Sequence, residues 1–490
     1  MKKLIKKLMP KFILSGYHKF LAVFSAFVYG HPSEKMTVIG VTGTNGKSTT
    51  VWLIAKALES SGLKVGATST VLFKVADKEW LNDKKMTMLG RFQLQKLLKR
   101  MVDAGCKYAV IEVSSEGIKQ YRHIGINFDY AVFTNLTPEH IESHGGFENY
   151  KKAKGELFKH LKNQKNKKSS FAKASEDGLK NQEIKKTTII NIDDEHSSYF
   201  LDFPAEKKIT FGIEKKNADF MARDIAVSLA GTSFEVSIPS ELDQVRLRMK
   251  IIGAFNVYNA LPAIAIGLNE GISIENIKSG LEKVTNVPGR MEFISEGQPF
   301  TVIVDYAPEP ASMAKLYETV KQLIKNQEIN KSINQKNETS KEPVNQFPPK
   351  ADAPMAQTKI IHVLGSCGGG RDKARRPILG KMAGENADIV IVTNEDPYDD
   401  DPMQIINEVA DGALSVVSEK NRHGINSAHS HRVYKILDRK EAIEKALSLA
   451  QAGNLVLITG KGAEQRMAVA GGRYIPWDDR EIVREYLRAN

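Results

Sequence analysis

The sequence predicts an α/β protein built from two sheet domains, on three observations. Short β-branched apolar runs alternate with stretches of helical spacing, the pattern of a parallel sheet covered by helices. That series occurs twice, once from Met36 and again after Pro288. The chain has 490 residues, 41% hydrophobic and 26% charged, ordinary values for a soluble protein of several domains. Two cysteines, Cys106 and Cys367, cannot form a disulfide framework, so a reducing cytoplasm is the expected compartment. No run is long and apolar enough to predict a spanning helix.

The elements follow in order. Residues 1–35 form a basic amphipathic leader: Lys2, Lys3, Lys6, Lys7 and Lys11 precede Phe12-Ile-Leu14, and Phe20–Tyr29 is apolar and aromatic. Two readings fit it, an interfacial helix on anionic lipid or a helix packed on the next domain. Thr37–Val41 reads as a buried strand ending in a glycine-rich turn, Ser48–Ser60 as a helix and Val65–Thr70 as a strand. The helical Leu94–Ala104 precedes buried strands at Tyr108–Val113 and Tyr130–Thr134. The second series places strands at Thr301–Asp305, Ile360–Gly365, Ile389–Thr393 and Leu455–Thr459, with a boundary near Val287–Arg290. The domains are therefore expected at 36–288 and 289–490. Within them, 163–187 and 325–358 are rich in Lys, Asn, Gln, Ser or Pro and are expected to be solvated, disordered inserts.

The formal net charge is +12. Residues 1–35 carry seven Lys and one acid, and 163–187 carry seven Lys and three acids, so these segments hold +10 of it. The remainder is nearly neutral, with no basic stripe interleaved with aromatics, and nucleic acid is not an expected partner.

The strongest motif is Gly40-Val-Thr-Gly-Thr-Asn-Gly-Lys-Ser-Thr-Thr50. A strand enters Gly43-Thr44-Asn45-Gly46, and Lys47-Ser48-Thr49 open a helix. Such a turn closes backbone N–H groups around phosphate oxygens, the helix N-terminus favours the anion, and Lys47 adds charge. Ser48 is the expected Mg²⁺ hydroxyl. Glu112 ends the next buried strand, at the sheet edge where ligands bind, and is a candidate to complete the metal shell. His140 and His144 lie four apart, but without the glutamate of a zinc-protease helix and with Gly145 next, so zinc is not expected.

These residues, in this order, resemble the Mur ligases of peptidoglycan synthesis, and most of all their MurE branch. Further matches are Tyr150-Lys-Lys-Ala-Lys154, Asn191-Ile-Asp-Asp194, Gly253-Ala-Phe-Asn256-Val-Tyr-Asn259, Val287-Pro-Gly-Arg290, Asp305-Tyr-Ala and Gly460-Lys-Gly-Ala-Glu464. The resemblance implies a central P-loop ATPase-type parallel sheet domain followed by a C-terminal Rossmann-like α/β domain. It implies an ATP-dependent amide-bond ligase that adds an amino acid to UDP-MurNAc-L-Ala-D-Glu through an acyl phosphate, working as a cytoplasmic monomer. By similarity, Gly43, Thr44, Asn45, Gly46, Lys47, Ser48 and Thr49 hold the phosphates, while Ser48 and Glu112 share one Mg²⁺. His140 and Lys154 take a second, Lys154 as a carbamate. Asn256 and Asn259 lie against adenine, Arg290 on the phosphates and Asp305 on the ribose. Ser114, Ser115 and Arg122 match substrate positions, and Asp396, Tyr398, Gly460 and Glu464 match positions that hold the incoming amino acid.

Four departures qualify the resemblance. Thirty-nine residues precede Gly40, where the branch carries roughly a hundred, a domain-sized piece, so the uridine-binding domain is expected to be missing or replaced. A Thr-Thr-Pro substrate segment is here Thr87-Met-Leu-Gly-Arg91, and Asp-Tyr-Ala-His is Asp305-Tyr-Ala-Pro308. The Asp-Asn-Pro-Arg that selects diaminopimelate is here Glu395-Asp396-Pro397-Tyr398, followed by Asp399, Asp400 and Asp401. Diaminopimelate would lose its bidentate partner there, and the acids either favour a cationic side chain such as lysine or simply face solvent. Alternatives are another carboxylate acceptor, lipid-linked or of the folylpolyglutamate type, and a nucleotide-binding scaffold without turnover.

Overall fold

The computed structural model describes residues 11–139, 141–164, 166–168, 183–239, 244–336, 358–422 and 432–490. They group into two units, Met1–Ala226 with Gly231–Thr285, and Val227–Ala230 with Asn286–Asn490. Both units are α/β.

The first unit is organised on an eleven-stranded sheet. Its centre is parallel, in the order Thr187–Asn191, Tyr130–Phe133, Thr37–Thr42, Tyr108–Glu112, Val65–Thr68. These strands are buried along their whole length because helices cover both faces, which is why they read as continuous apolar runs. Antiparallel hairpins extend the sheet beyond Val65–Thr68, through Leu72–Val75 and Lys78–Leu81. Phe133 stacks on Phe200 at 3.8 Å in the core beneath.

The second unit has a six-stranded sheet, in the order Glu292–Ile294, Thr301–Asp305, Leu455–Thr459, Ile360–Leu364, Ile389–Thr393, Arg432–Ile436. Only the Glu292–Ile294 edge is antiparallel. Arg439 is fully buried there. It donates to both carboxylate oxygens of Asp479 at 2.9 and 2.6 Å and to the Thr459 carbonyl at 2.8 Å, so its fork is satisfied by a bidentate acid and backbone.

Two expectations change. The segment 163–187 is not a solvated insert at its ends: Lys167–Lys168 pairs with Glu183–Ile184, and Thr187 begins a central strand. The reason is Asp129, a buried carboxylate that also accepts the Val38 N–H at 2.8 Å. Lys167 and Lys186 reach it at 2.5 and 2.8 Å, and both also donate to carbonyls of the 127–128 turn. Burial pulls Lys167 down to about 8, with Asp129 opposing. Residues 169–182 lie outside the described residues. Of 325–358, the first part continues the helix Pro310–Lys336, and 337–357 lie outside the described residues.

The leader contains the helix Lys11–Val28, packed on the helix Arg91–Asp103. Ala22, Ser25 and Ala26 form its buried face. Small residues are needed because Gly125 comes so close that a Cβ on it would lie 2.9 Å from the Ala22 carbonyl oxygen. Ser15 donates to the Tyr121 hydroxyl at 2.6 Å, and Lys19 lies 5.1 Å over the Tyr121 ring. Residues 1–10 lie outside the described residues.

Replacing Asp129 leaves two buried lysines without their counter-charge. Asp129→Asn is expected to lower unfolding free energy by about 3–5 kcal/mol, read by urea denaturation; a loss under about 1 kcal/mol would contradict this account.

Candidate functional site

The phosphate loop hangs between the strand Thr37–Thr42 and the helix Lys47–Glu59. Two of its glycines are sterically required. At Gly43 (φ 151°) a Cβ would lie 1.9 Å from Thr134 Oγ1, and at Gly46 (φ 80°) 2.2 Å from Asn259 Oδ1. The segment after the strand Tyr130–Phe133 clamps the loop. Thr134 Oγ1 and Asn135 Nδ2 donate to the Asn45 carbonyl at 2.8 and 3.1 Å, while Asn45 N–H donates to Asn135 Oδ1 at 2.8 Å. Thr44 N–H donates to the Asn135 carbonyl at 2.8 Å. Gly46 heads the helix without a side-chain cap, the arrangement that suits an anion. Thr49 is buried in the first turn.

Lys47 Nζ folds back to the Thr44 carbonyl at 2.7 Å. Ser48 donates to Glu112 at 2.7 Å, and Glu112 also accepts the Thr70 N–H at 2.8 Å and hydroxyl at 3.0 Å. With its proton on Glu112, the Thr70 hydroxyl accepts from the Thr87 hydroxyl 2.9 Å away, which brings the departing Thr87–Arg91 segment to the same spot. Lys154 is fully buried with its Nζ 2.5 Å from the Gly43 carbonyl and 4.4 Å over the Tyr150 ring. Burial, with Lys47 adding to it, holds Lys154 well below the ordinary lysine range against the pull of Glu139 and Glu112. His140 lies outside the described residues. Lys47, Ser48, Glu112 and Lys154 are thus brought to one loop.

Asn256 and Asn259 lie in the helix Phe255–Asn269, facing the loop helix. Asn259 accepts from Thr50 at 3.2 Å and donates to Asn256 at 3.0 Å, and Asn256 donates to the Ile252 carbonyl at 2.9 Å. Ser114 caps the short helix Ser115–Lys119 by accepting the Gly117 N–H at 3.1 Å. Ser115 meets His144 at 3.1 Å. Arg122 donates to the Met88 carbonyl and, at 2.7 Å, to Gln120, and burial lowers it, with Arg91 adding like charge.

In the second unit, Asp305 accepts the N–H groups of Met291 and Ala307 at 2.7 and 2.8 Å. Burial raises it, with Arg290 opposing. Arg290 lies 4.2 Å over the Tyr306 ring. A separate cluster gathers Asp396, Tyr398, Gly460 and Glu464. Lys461, quoted in its motif but not singled out, is the buried hub: it reaches both Asp396 oxygens at 3.0 Å, Glu464 at 2.5 Å and the Arg466 carbonyl at 2.7 Å. Gly460 (φ 109°) is required, since a Cβ would lie 2.0 Å from Glu395 Oε2. Asp396 and Tyr398 hold φ of 44° and 53°, a conformation costly for non-glycine residues. Arg371, also missed, is near enough for its positive charge to act on the Tyr398 hydroxyl. Burial, helped by Asp396, pushes Tyr398 up to about 12.

Asp399 and Asp401 are exposed and Asp400 is half-buried, and all three acids meet local groups. Asp399 accepts the Gly471 N–H at 2.8 Å, Asp400 faces Arg376 at 3.4 Å, and Asp401 accepts the Met403 N–H at 2.9 Å at a helix start. Each carboxylate has a local structural partner.

Comparison with known proteins gives matches over most of the chain. The model of the Mur ligase middle domain matches residues 41–267, and that of the Mur ligase glutamate ligase domain matches 349–462. A UDP-N-acetylmuramyl-tripeptide synthetase of Roseiflexus sp. is 36% identical over 471 residues, covering 95% of this chain and 81% of that protein. A UDP-N-acetylmuramoyl-L-alanyl-D-glutamate–2,6-diaminopimelate ligase of Geobacillus kaustophilus is 34% identical, covering 98% and 84%. A solved structure of a ligase of the latter name is 27% identical with a TM-score of 0.55, covering 93% and 78%. A folylpolyglutamate synthase of Mycobacterium tuberculosis, 15% identical with a TM-score of 0.59 over 90% and 92%, shares the fold.

Gly46→Ala is expected to raise the Kd for ATP about tenfold or more, because strain of about 1–3 kcal/mol and the clash with Asn259 both fall on the loop. Isothermal titration would read it, and unchanged affinity would remove Gly46 from the cradle.

Proposed function

The chain belongs to the Mur ligase family, and from that premise we propose that it joins an amino acid to the D-glutamate carboxylate of UDP-N-acetylmuramoyl-L-alanyl-D-glutamate. Its class is that of an ATP-dependent ligase in peptidoglycan precursor synthesis. One observation carries the finer reading: the Ser48–Glu112–Thr70–Thr87 chain of hydrogen bonds leads from the phosphate loop to the segment that corresponds to a substrate contact.

A carboxylate is a poor electrophile, so the reaction needs a leaving group. One oxygen of the acceptor carboxylate attacks the γ-phosphorus, ADP departs, and an acyl phosphate forms. The incoming amine, having shed its proton, attacks the acyl carbon, and the tetrahedral intermediate expels phosphate to leave the amide. The protein's work is positioning and charge neutralisation. The loop amides and Lys47 hold the phosphates. Arg290 and Asp305 are assigned to phosphate and ribose, Asn256 and Asn259 to adenine, and Ser114, Ser115 and Arg122 to the acceptor.

Ser48 and Glu112 are buried hard oxygen donors 2.7 Å apart, a set that fits Mg²⁺. Bound there, the ion supplies charge neutralisation of the phosphates. Lys154 as an amine is no metal ligand. Its burial favours the neutral amine, the form to which carbon dioxide adds, and a carbamate would give it oxygen donors for a second Mg²⁺ with His140. Asp396, Tyr398, Gly460 and Glu464 are assigned to the incoming amino acid, with Lys461 setting the first and last and Arg371 the cation beside Tyr398. The same reading takes the enzyme as a cytoplasmic monomer.

The test is phosphate release from ATP with UDP-MurNAc-L-Ala-D-Glu and single amino acids, with the product identified by mass. A tripeptide is expected, and its mass names the amino acid. No product with any amino acid, from protein that binds ATP, would overturn the acceptor. Lys154→Ala should lower turnover about 100-fold or more, a larger loss than that in ATP affinity, which falls only through the lost Gly43 contact; equal turnover would dismiss the lysine.

A further inference from the structure

The outer face of the leader helix takes no part in any of this chemistry. Ile13, Tyr17, Phe20, Phe24 and Phe27 recur at steps of four, three, four and three residues, which lines one stripe of a helix opposite Ala22, Ser25 and Ala26. All five are exposed, Phe20 at 63% and Phe27 at 69%. Phe20 and Phe24 stack at 5.8 Å, and Phe92 of the neighbouring helix, also exposed, meets Phe24 edge-on at 6.3 Å. A continuous aromatic patch of this kind marks an interaction surface.

Charge decides what covers it. No acid occurs before Glu34, while Lys2, Lys3, Lys6, Lys7, Lys11 and Lys19 do. The adjoining helix Arg91–Asp103 presents exposed Lys96 one turn beyond Phe92, and its single acid, Asp103, is paired with Lys99. A second copy of this face would bring Lys19 and Lys96 against like charge. An anionic bilayer answers both features, with rings entering the acyl boundary and lysines meeting phosphate headgroups. No helix among the described residues is long and apolar enough to cross a membrane, so the helix would lie in the plane of the interface.

We propose that the Phe20–Phe24–Phe27 face of the leader helix, with Phe92, Lys19 and Lys96 and helped by the lysines that precede the helix in sequence, docks the protein on acidic phospholipid. The proposal is independent of the reaction catalysed.

Flotation of the full chain with vesicles of phosphatidylcholine containing about 30 mol % phosphatidylglycerol tests it. Binding is expected there, not on phosphatidylcholine alone, and should weaken in about 0.5 M salt. The double variant Phe20→Glu/Phe27→Glu should lose partitioning about tenfold or more, with an unchanged melting curve because both rings are exposed. Lys6→Glu/Lys7→Glu serves as an independent variant with the same expected loss. Absence of flotation by the wild type, or flotation undiminished in both variants, overturns the proposal. A concentration-dependent dimer that the phenylalanine variant abolishes, without lipid binding, overturns it in favour of a second copy.

Discussion

A loop that binds phosphate must be rigid while leaving its amides turned toward the ligand, and the first unit is arranged around that constraint. The loop is held through its carbonyls: Gly43 by Lys154, Thr44 by Lys47, and Asn45 by Thr134 and Asn135. The clamp comes from the neighbouring parallel strand, so the loop's shape depends on the register between Thr37–Thr42 and Tyr130–Phe133. Asp129, just before that second strand, takes the Val38 N–H and two lysines. The buried ion cluster and the loop clamp therefore sit at opposite ends of one strand pair.

The second unit uses buried charge in a related way. Arg439 and Asp479 close one network around the Thr459 carbonyl, and the chain then turns through Gly460 to place Lys461 between Asp396 and Glu464. Each ion sits among several polar partners, which is what makes burial tolerable. A lysine with two carboxylates and a carbonyl is a fixed post, and the groups around it inherit its position.

The strands and the phosphate loop were legible because their signals are local: apolar runs of a few residues, and glycines that take a positive φ more readily than other residues. Lys167 and Lys186 were not legible, since a lysine-rich, asparagine-rich stretch has the composition of a solvated loop and only the fold brings it to Asp129. Asp399–Asp401 allowed two readings, a field for a cation or plain solvation, because sequence does not show that they individually meet Gly471, Arg376 and Met403. Lys461 carried no signal beyond its motif, because its role depends on Asp396, sixty-five positions away in sequence. The leader was legible in pattern, and the buried alanines decided which face meets the protein.

The turn at Asp396–Tyr398 also restricts how this protein can change over evolutionary time. Tyr398 occupies left-handed backbone space, with Gly369 so near that a Cβ there would meet the tyrosine ring at 2.6 Å. Valine, isoleucine and threonine are the least tolerant of that conformation. Drift at this position is thereby channelled toward unbranched side chains, and a lineage acquiring a new preference here must either keep such a residue or rebuild the turn. The backbone, more than the side chain it carries, sets which neighbouring sequences are reachable by single substitutions.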